Sequence, residues 1–431
     1  MYKGEYGQMC INHCFESTLN YCSPGHGGWG LIRIAALIPE SHLLFICPSA
    51  CFRHGALGAM QHGHKNRTSY LPVTSADVVI GYDNLILEVA EELLSKDKSI
   101  KVLFLFVPCI NDFIGTDIDS IAKQIEGTHP GVTVRSCHMN PIASDTNRPP
   151  LVTTIQSMFS TIKTDNCATE DAINLCGNYS RLEEECEAFE FFRDYGISIR
   201  QIADDENYED FCEMGRSKYN LLLKPQAKFA GEHMDKTYKT KTIDAMVTYD
   251  IDEIRENYEA LTKMLSENHI KVDNPKFDIE KEETETKFAI ESAVKKLNNI
   301  PISVSNSAAV RPFTLAKALL KYGFNVKEVI AQQAIPSDKD AYEYILRNHP
   351  EITIIQPAHH KSAVRNNENT YMIGIGFEGA YLRQSDYVVN LSADEEMYGY
   401  HGVRRLMAML EKSIEQKADL KKMIDEYGAV V

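Results

Sequence analysis

The chain alternates short apolar, β-branched runs with longer stretches whose apolar residues recur at helical spacing. Residues 43–47 and 102–107 are almost uninterrupted in apolar character, the pattern of strands buried on both faces. Between them, residues 84–95 place Leu87, Ala90, Leu93 and Leu94 on one helical face. This order predicts an α/β chain with parallel sheets and helical crossovers. In the first third, strands are expected at 43–47, 77–80, 102–107 and 133–137, with helices at 84–95 and 118–125. Residues 141–150, ending in Asn-Arg-Pro-Pro, read as a linker.

A second unit follows, with strands at 171–176, 197–202 and 219–223 and helices at 181–194 and 227–236. The charged segment 250–296, broken at Pro275, reads as a solvated helical connection. From Pro301 a third unit begins. Its strands are expected at 302–305, 326–331, 353–356, 371–375 and 387–390, with helices at 314–322 and 340–348. A helical stretch over 402–427 closes the chain. The expected architecture is three doubly wound, Rossmann-like parallel-sheet domains. They span 1–150, 151–275 and 276–401, and a C-terminal helix over 402–431 packs back. Ligands are expected where the C-terminal edges of the strands converge.

Charge excludes several partners. The 431 residues carry 45 Lys and Arg against 61 Asp and Glu, a net charge of −16. So acidic a surface argues against nonspecific binding to nucleic acid or an anionic membrane. No apolar run is long enough to span a bilayer, and the N-terminal residues lack a signal-peptide pattern. The expected location is the cytoplasm. There the 11 cysteines, an odd number, read as metal-binding or catalytic rather than bridged.

The densest chemistry lies early. Cys22 is followed by Ser-Pro-Gly-His-Gly-Gly-Trp-Gly, in which Gly27 and Gly28 allow close backbone approach to a bulky group. These glycines do not match a dinucleotide-binding loop. The strand at 43–47 delivers Cys47 or Cys51 to its C-terminal edge, and the strand at 102–107 delivers Cys109 in the same way. Three thiolates from three loops cannot complete a tetrahedral site. They can hold half of a larger cluster, with the remainder supplied by another subunit. Histidines are further candidates. His54, His62 and His64 follow Cys51, and His359 and His360 follow the strand at 353–356, where they can donate protons or act as ligands. Arg311, after the strand at 302–305, can bind a carboxylate or sulfide. Lys65-Asn-Arg67 reads as a solvated loop.

In series, these segments resemble component 1 of the nitrogenase superfamily, which includes nitrogenase subunits, cofactor-assembly scaffolds and dark-operative tetrapyrrole reductases. Cys22 with its glycines resembles the first cluster cysteine. Ser41-His-Leu-Leu-Phe-Ile-Cys-Pro-Ser-Ala-Cys51 resembles the second, with Cys47 at a glycine-like position. Cys109 with Phe113-Ile-Gly-Thr-Asp-Ile118 is similar to the third, and Gly399-Tyr-His-Gly402 to a helix start of that family. The resemblance implies a reductase with Cys22, Cys51 and Cys109, and Cys47 as a further candidate, holding an iron–sulfur cluster. The cluster would be [4Fe-4S] or P-cluster-like [8Fe-7S], shared at an interface with an identical or paralogous subunit. An ATP-dependent [4Fe-4S] iron protein would supply electrons, since this chain has no P-loop. Gly27, Gly28, Arg311 and His401 are the candidate cofactor-binding residues, His359 and His360 the candidate catalytic ones, and there is room for a second metallocluster. Two departures argue against nitrogen fixation. Lys224-Pro225 stands where the family's cofactor cysteine would follow a strand like Asn220-Leu-Leu-Leu, and the cofactor histidine position falls near Tyr398. The alternatives are a metallocluster-assembly scaffold, a tetrapyrrole reductase or cyclase, and an α/β binding protein with structural cysteines.

Overall fold

The computed structural model describes residues 30–140, 148–165, 167–267, 275–357 and 370–427. The chain forms two compact units, one of residues 30–181 with 198–245, the other of residues 182–197 with those from 246 onward.

The first unit holds two four-stranded parallel sheets. One contains β1 (Ser41–Cys47), β2 (Thr68–Pro72), β3 (Val102–Pro108) and β4 (Thr133–Met139), in the order β2-β1-β3-β4. The other contains β5 (Glu170–Cys176), β6 (Ser198–Arg200), β7 (Ser217–Leu222) and β8 (Lys241–Asp244), in the order β6-β5-β7-β8. The second unit holds β9 (Ile302–Ser305), β10 (Val326–Ile330), β11 (Thr353–Ile355), β12 (Thr370–Ile375) and β13 (Ser385–Val389). They form one parallel sheet in the order β11-β10-β9-β12-β13. The fold is therefore the expected α/β class with three parallel sheets. Among the described residues no helix is long and apolar enough to cross a membrane.

Burial explains the central strands. Every residue of β1 and of β3 is buried, so helices must cover both faces. Phe45 of β1 stacks on Phe106 of β3 at 4.8 Å, and Gly55 lets the helix Ser49–Gln61 press onto the Phe45 ring. The helix Asp83–Lys96 buries Ile86, Ala90 and Leu94, and the helix Ile118–Thr128 buries Ile118, Ile121, Ala122 and Ile125.

Four expectations need correction. Residues 77–80 are not a strand but belong to the helix Ser75–Ile80. Thr74 and Asp77 form a reciprocal capping box there, which satisfies the N-terminal amides and overrides the strand preference of Val-Val-Ile. The edge strand is β2 instead. The loop 65–67 is not simply solvated, because Arg67 donates to the carbonyls of Ala36 (2.6 Å) and Ile38 (3.2 Å) and so ties the entry of β1. The helix expected from 181 begins only at Glu187 and runs to Asp194. The charged stretch 250–296 is more than a connection. Its helix Ile279–Leu297 buries Glu283, Thr286, Ile290, Ala293 and Leu297 and packs on the helix Gly399–Ser413.

His42, the second residue of the buried strand β1, lies with Nε2 2.9 Å from Ser69 Oγ of β2. It is 6% exposed, and burial brings its pKa from 6.5 down to about 4. The neutral ring thus stabilises the fold above pH 6.5, and that stability is lost as pH falls towards 4, at most about 3 kcal/mol. Urea midpoints measured between pH 7 and 4 should fall more steeply in the wild type than in His42→Gln.

Candidate functional site

Strands β1 and β3 are hydrogen-bonded neighbours running in the same direction, so their C-terminal ends lie side by side. β1 ends in Cys47 and Pro48, after which the helix Ser49–Gln61 starts with Cys51 in its first turn; the Cys51 amide bonds the Pro48 carbonyl at 2.9 Å. β3 ends in Pro108, and Cys109 opens the helix Cys109–Ile114. Both prolines stop the strand and leave the next residues free to turn. Asp112 pins the second of these helices, with one carboxylate oxygen 2.9 Å from His138 Nδ1 and the other accepting from Asn140 at 2.9 Å.

Cys47, Cys51 and Cys109 therefore follow the ends of two neighbouring strands at one sheet edge. Cys51 and Cys109 are half-buried, while Cys47 is 2% exposed. Burial raises the Cys51 thiol and the neighbouring Cys109 raises it further; burial and then Cys51 push Cys47 up to about 12. Two adjacent thiolates in a low-dielectric edge repel one another, and a bound cationic centre reverses that preference. Asn111, two residues after Cys109, is 1% exposed, and among the described residues neither polar atom of its side-chain amide has a partner. An orphaned buried amide beside paired thiols fits a group able to take its N–H, as sulfide or thiolate sulfur can. The donor set thus suits an iron–sulfur cluster. Among the described residues no group of three or more His, Cys, Asp or Glu side chains is arranged to hold a metal ion by itself, so the described thiols supply only part of a ligand set.

The remaining candidates are distributed. Cys22, Gly27, Gly28, His359 and His360 lie outside the described residues. Arg311 precedes the helix Pro312–Lys321 and donates to the Val247 carbonyl. His401 is held by acids: its amide donates to Glu187 at 2.9 Å, and its Nε2 lies 2.8 Å from Glu183. Lys224 is buried after β7, against Gly177, with Nζ 5.9 Å from the Tyr179 ring centre.

Sequence reasoning missed Glu187. Within the run Glu183-Glu-Glu-Cys-Glu187 it looks like one more surface acid, yet it is 4% exposed. Its carboxylate accepts from the Tyr400 amide (2.6 Å), the His401 amide and the Tyr258 hydroxyl (3.0 Å), capping the helix Gly399–Ser413. Burial raises its pKa and the backbone amides oppose that rise. The signal that could have found it is Gly399, since a glycine at a helix start is needed where a buried group approaches the backbone.

The fold and its cysteine-bearing sheet edge define an α/β protein of three parallel sheets, and the comparisons assign its family. Residues 28–415 match the family described as nitrogenase component 1 type oxidoreductase, and the chain belongs to that family. Members of this family bind iron–sulfur clusters, work with an iron protein and form oligomers. Among solved structures, nitrogenase Cp1 at pH 6.5 is similar with a TM-score of 0.69 at 16% identity, covering 95% of each chain. Nitrogenase Cp1 at pH 5 gives a TM-score of 0.60 at 13% identity, covering 93% of this chain and 89% of that one. At such identities the likeness shows the fold. No curated protein matches the chain in sequence.

Gly399 adopts φ +57°, and a Cβ there would overlap the Glu187 carboxylate. Gly399→Ala should therefore destabilise the protein by about 3 kcal/mol or more, read as a lower urea midpoint.

Proposed function

We propose that this chain is a reductase subunit that receives electrons through an iron–sulfur cluster held by Cys51 and Cys109, with Cys22 as the third ligand. The observation that carries the reading is the meeting of Cys51 and Cys109 at the ends of two adjacent parallel strands. The cluster, when bound, supplies one-electron relay. The chain's own residues position it: Pro48 and Pro108 end the strands, Asp112 fixes the helix of Cys109, and Asn111 offers amide protons.

Three cysteines leave the cluster incomplete, so a second subunit, identical or paralogous, supplies the rest. Exposed apolar residues on the cysteine-bearing helices support such an interface: Leu57 and Met60 after Cys51, and Phe113 and Ile114 after Cys109. An ATP-dependent iron protein is the electron donor by family. The substrate is something other than dinitrogen, because Lys224, an ammonium rather than a thiolate, stands two residues beyond β7 where the family's cofactor cysteine is expected.

The test is anaerobic purification with iron, acid-labile sulfide and EPR measured beside Cys109→Ala. Iron and sulfide in roughly equal amounts, lost in the variant, are expected. No iron after anaerobic reconstitution would overturn the reading in favour of a binding protein with structural cysteines.

A further inference from the structure

Arg67 meets only neutral acceptors among the described residues. Its Nη2 donates to the Ala36 carbonyl (2.6 Å) and to His64 Nδ1 (3.1 Å), and its Nη1 to the Ile38 carbonyl (3.2 Å) and Ser41 Oγ (3.5 Å). Other arginines of the same unit end on carboxylates: Arg135 on Glu126, Arg200 on Glu170 and Arg216 on Glu213. In a chain of net charge −16, a half-buried guanidinium left on carbonyls is an unneutralised charge.

The tautomer of His64 follows from this geometry. A guanidinium can only donate, so Nδ1 must accept, and the neutral ring carries its proton on Nε2. That donor has no partner among the described residues. His62 ends the helix Ser49–Gln61 two residues earlier and belongs to the same cluster. Burial lowers the basicity of both rings. Arg33 lowers it further at His62; Arg67, then His62 and Arg33, do so at His64, and no carboxylate offsets them at either. Arg33 also donates to Ser180 Oγ at 3.1 Å, which joins the cluster to the loop that follows β5.

We propose that Arg33, His62, His64 and Arg67 form a binding site for a small molecule bearing carboxylates. The cluster repels cations, so it is not a metal site. Its donors are planar guanidinium and imidazole N–H groups, which suit a planar carboxylate. Phosphate sites in such folds draw instead on helix N-terminal amides, whereas His62 sits at the carbonyl end of its helix. The site goes beyond the cluster reading and does not rest on it. Ten residues of helix, about 15 Å, separate Cys51 from Gln61.

The test is calorimetric titration of the full, anaerobically purified chain with citrate, and separately with inorganic phosphate. Citrate should bind the wild type, about tenfold or more weaker to His62→Gln and His64→Gln, and unchanged to Lys65→Gln, which removes a neighbouring exposed charge. Phosphate should bind at least about tenfold more weakly than citrate. Arg33→Gln leaves the Arg67 bonds intact and must show the same loss of citrate binding, even if His64→Gln unfolds early. Absence of citrate binding, equal binding by the variants, an equal loss in Lys65→Gln, or equal affinity for phosphate would each overturn the assignment. Iron content should be the same in all four variants, so this result stands apart from that of the cluster.

Discussion

The β1–β3 pairing is the constraint from which the rest follows. All residues of both strands are buried, and their register runs from Ser41 opposite Val102 to Phe45 opposite Phe106. A slip by one residue would turn every side chain to the other face, and the stacked Phe45–Phe106 pair resists it. With the register set, the two strands end at the same level. Cys51 and Cys109, each following the end of one of these strands, are then carried to the same edge by backbone hydrogen bonding between the strands.

The second unit uses buried acids to finish its helices. Asp338, 1% exposed, accepts from the Phe313 and Thr314 amides and from the Thr314 hydroxyl, at 2.6–2.9 Å. Asp394 takes the Val310 amide at 2.7 Å and the Tyr249 hydroxyl at 2.8 Å. Glu187 does the same for the helix Gly399–Ser413. Each carboxylate occupies the place that an anionic ligand would take at an open helix N-terminus. The strand order β11-β10-β9-β12-β13 reverses between β9 and β12, where a dinucleotide would sit in a cofactor-binding relative of this topology. Here Gly376, at φ +92°, brings the start of the helix Phe377–Arg383 against Ser307 and Ala308, which fills that crevice with protein. The topology is that of a nucleotide-binding sheet, and its anion seats are already taken.

The central strands were legible because burial on both faces writes a continuous apolar run, as in Leu43–Ile46 and Val102–Val107. Cys51 and Cys109 were legible because each follows such a run. The edge strand β2 was not. β2 has one buried residue in five and so carries no apolar signature, whereas residues 77–80 are apolar yet lie in a capped helix with Val79 86% exposed and Ile80 83% exposed. Arg67 and Glu187 were misread for a related reason. A charged residue in a polar run looks solvated, and only the long-range partners, carbonyls near β1 for one and amides near residue 400 for the other, reveal that it is buried. Sequence periodicity reports burial of apolar faces and is silent on buried charge.

That silence matters because satisfaction of buried polar groups separates structural from functional places in this chain. Glu187 and Asp338 each have three protein donors, so nothing further is required at those positions. Among the described residues Asn111 has no partner for its side-chain amide, Cys51 and Cys109 share one sheet edge, and Arg67 ends on neutral acceptors, two carbonyls, a hydroxyl and an imidazole. Each of these would cost a folded protein free energy if it served the fold alone, since a buried unpaired amide costs about 1–3 kcal/mol. Folding does not select for such costs, and binding removes them, because a ligand supplies the missing acceptor or opposite charge. Two such places lie in one unit, at opposite ends of one helix, Ser49–Gln61. On the proposed readings the thiol end takes an electropositive, sulfur-bearing centre and the imidazole end an anion, a division of labour that the strands of one sheet and a single helix are enough to impose.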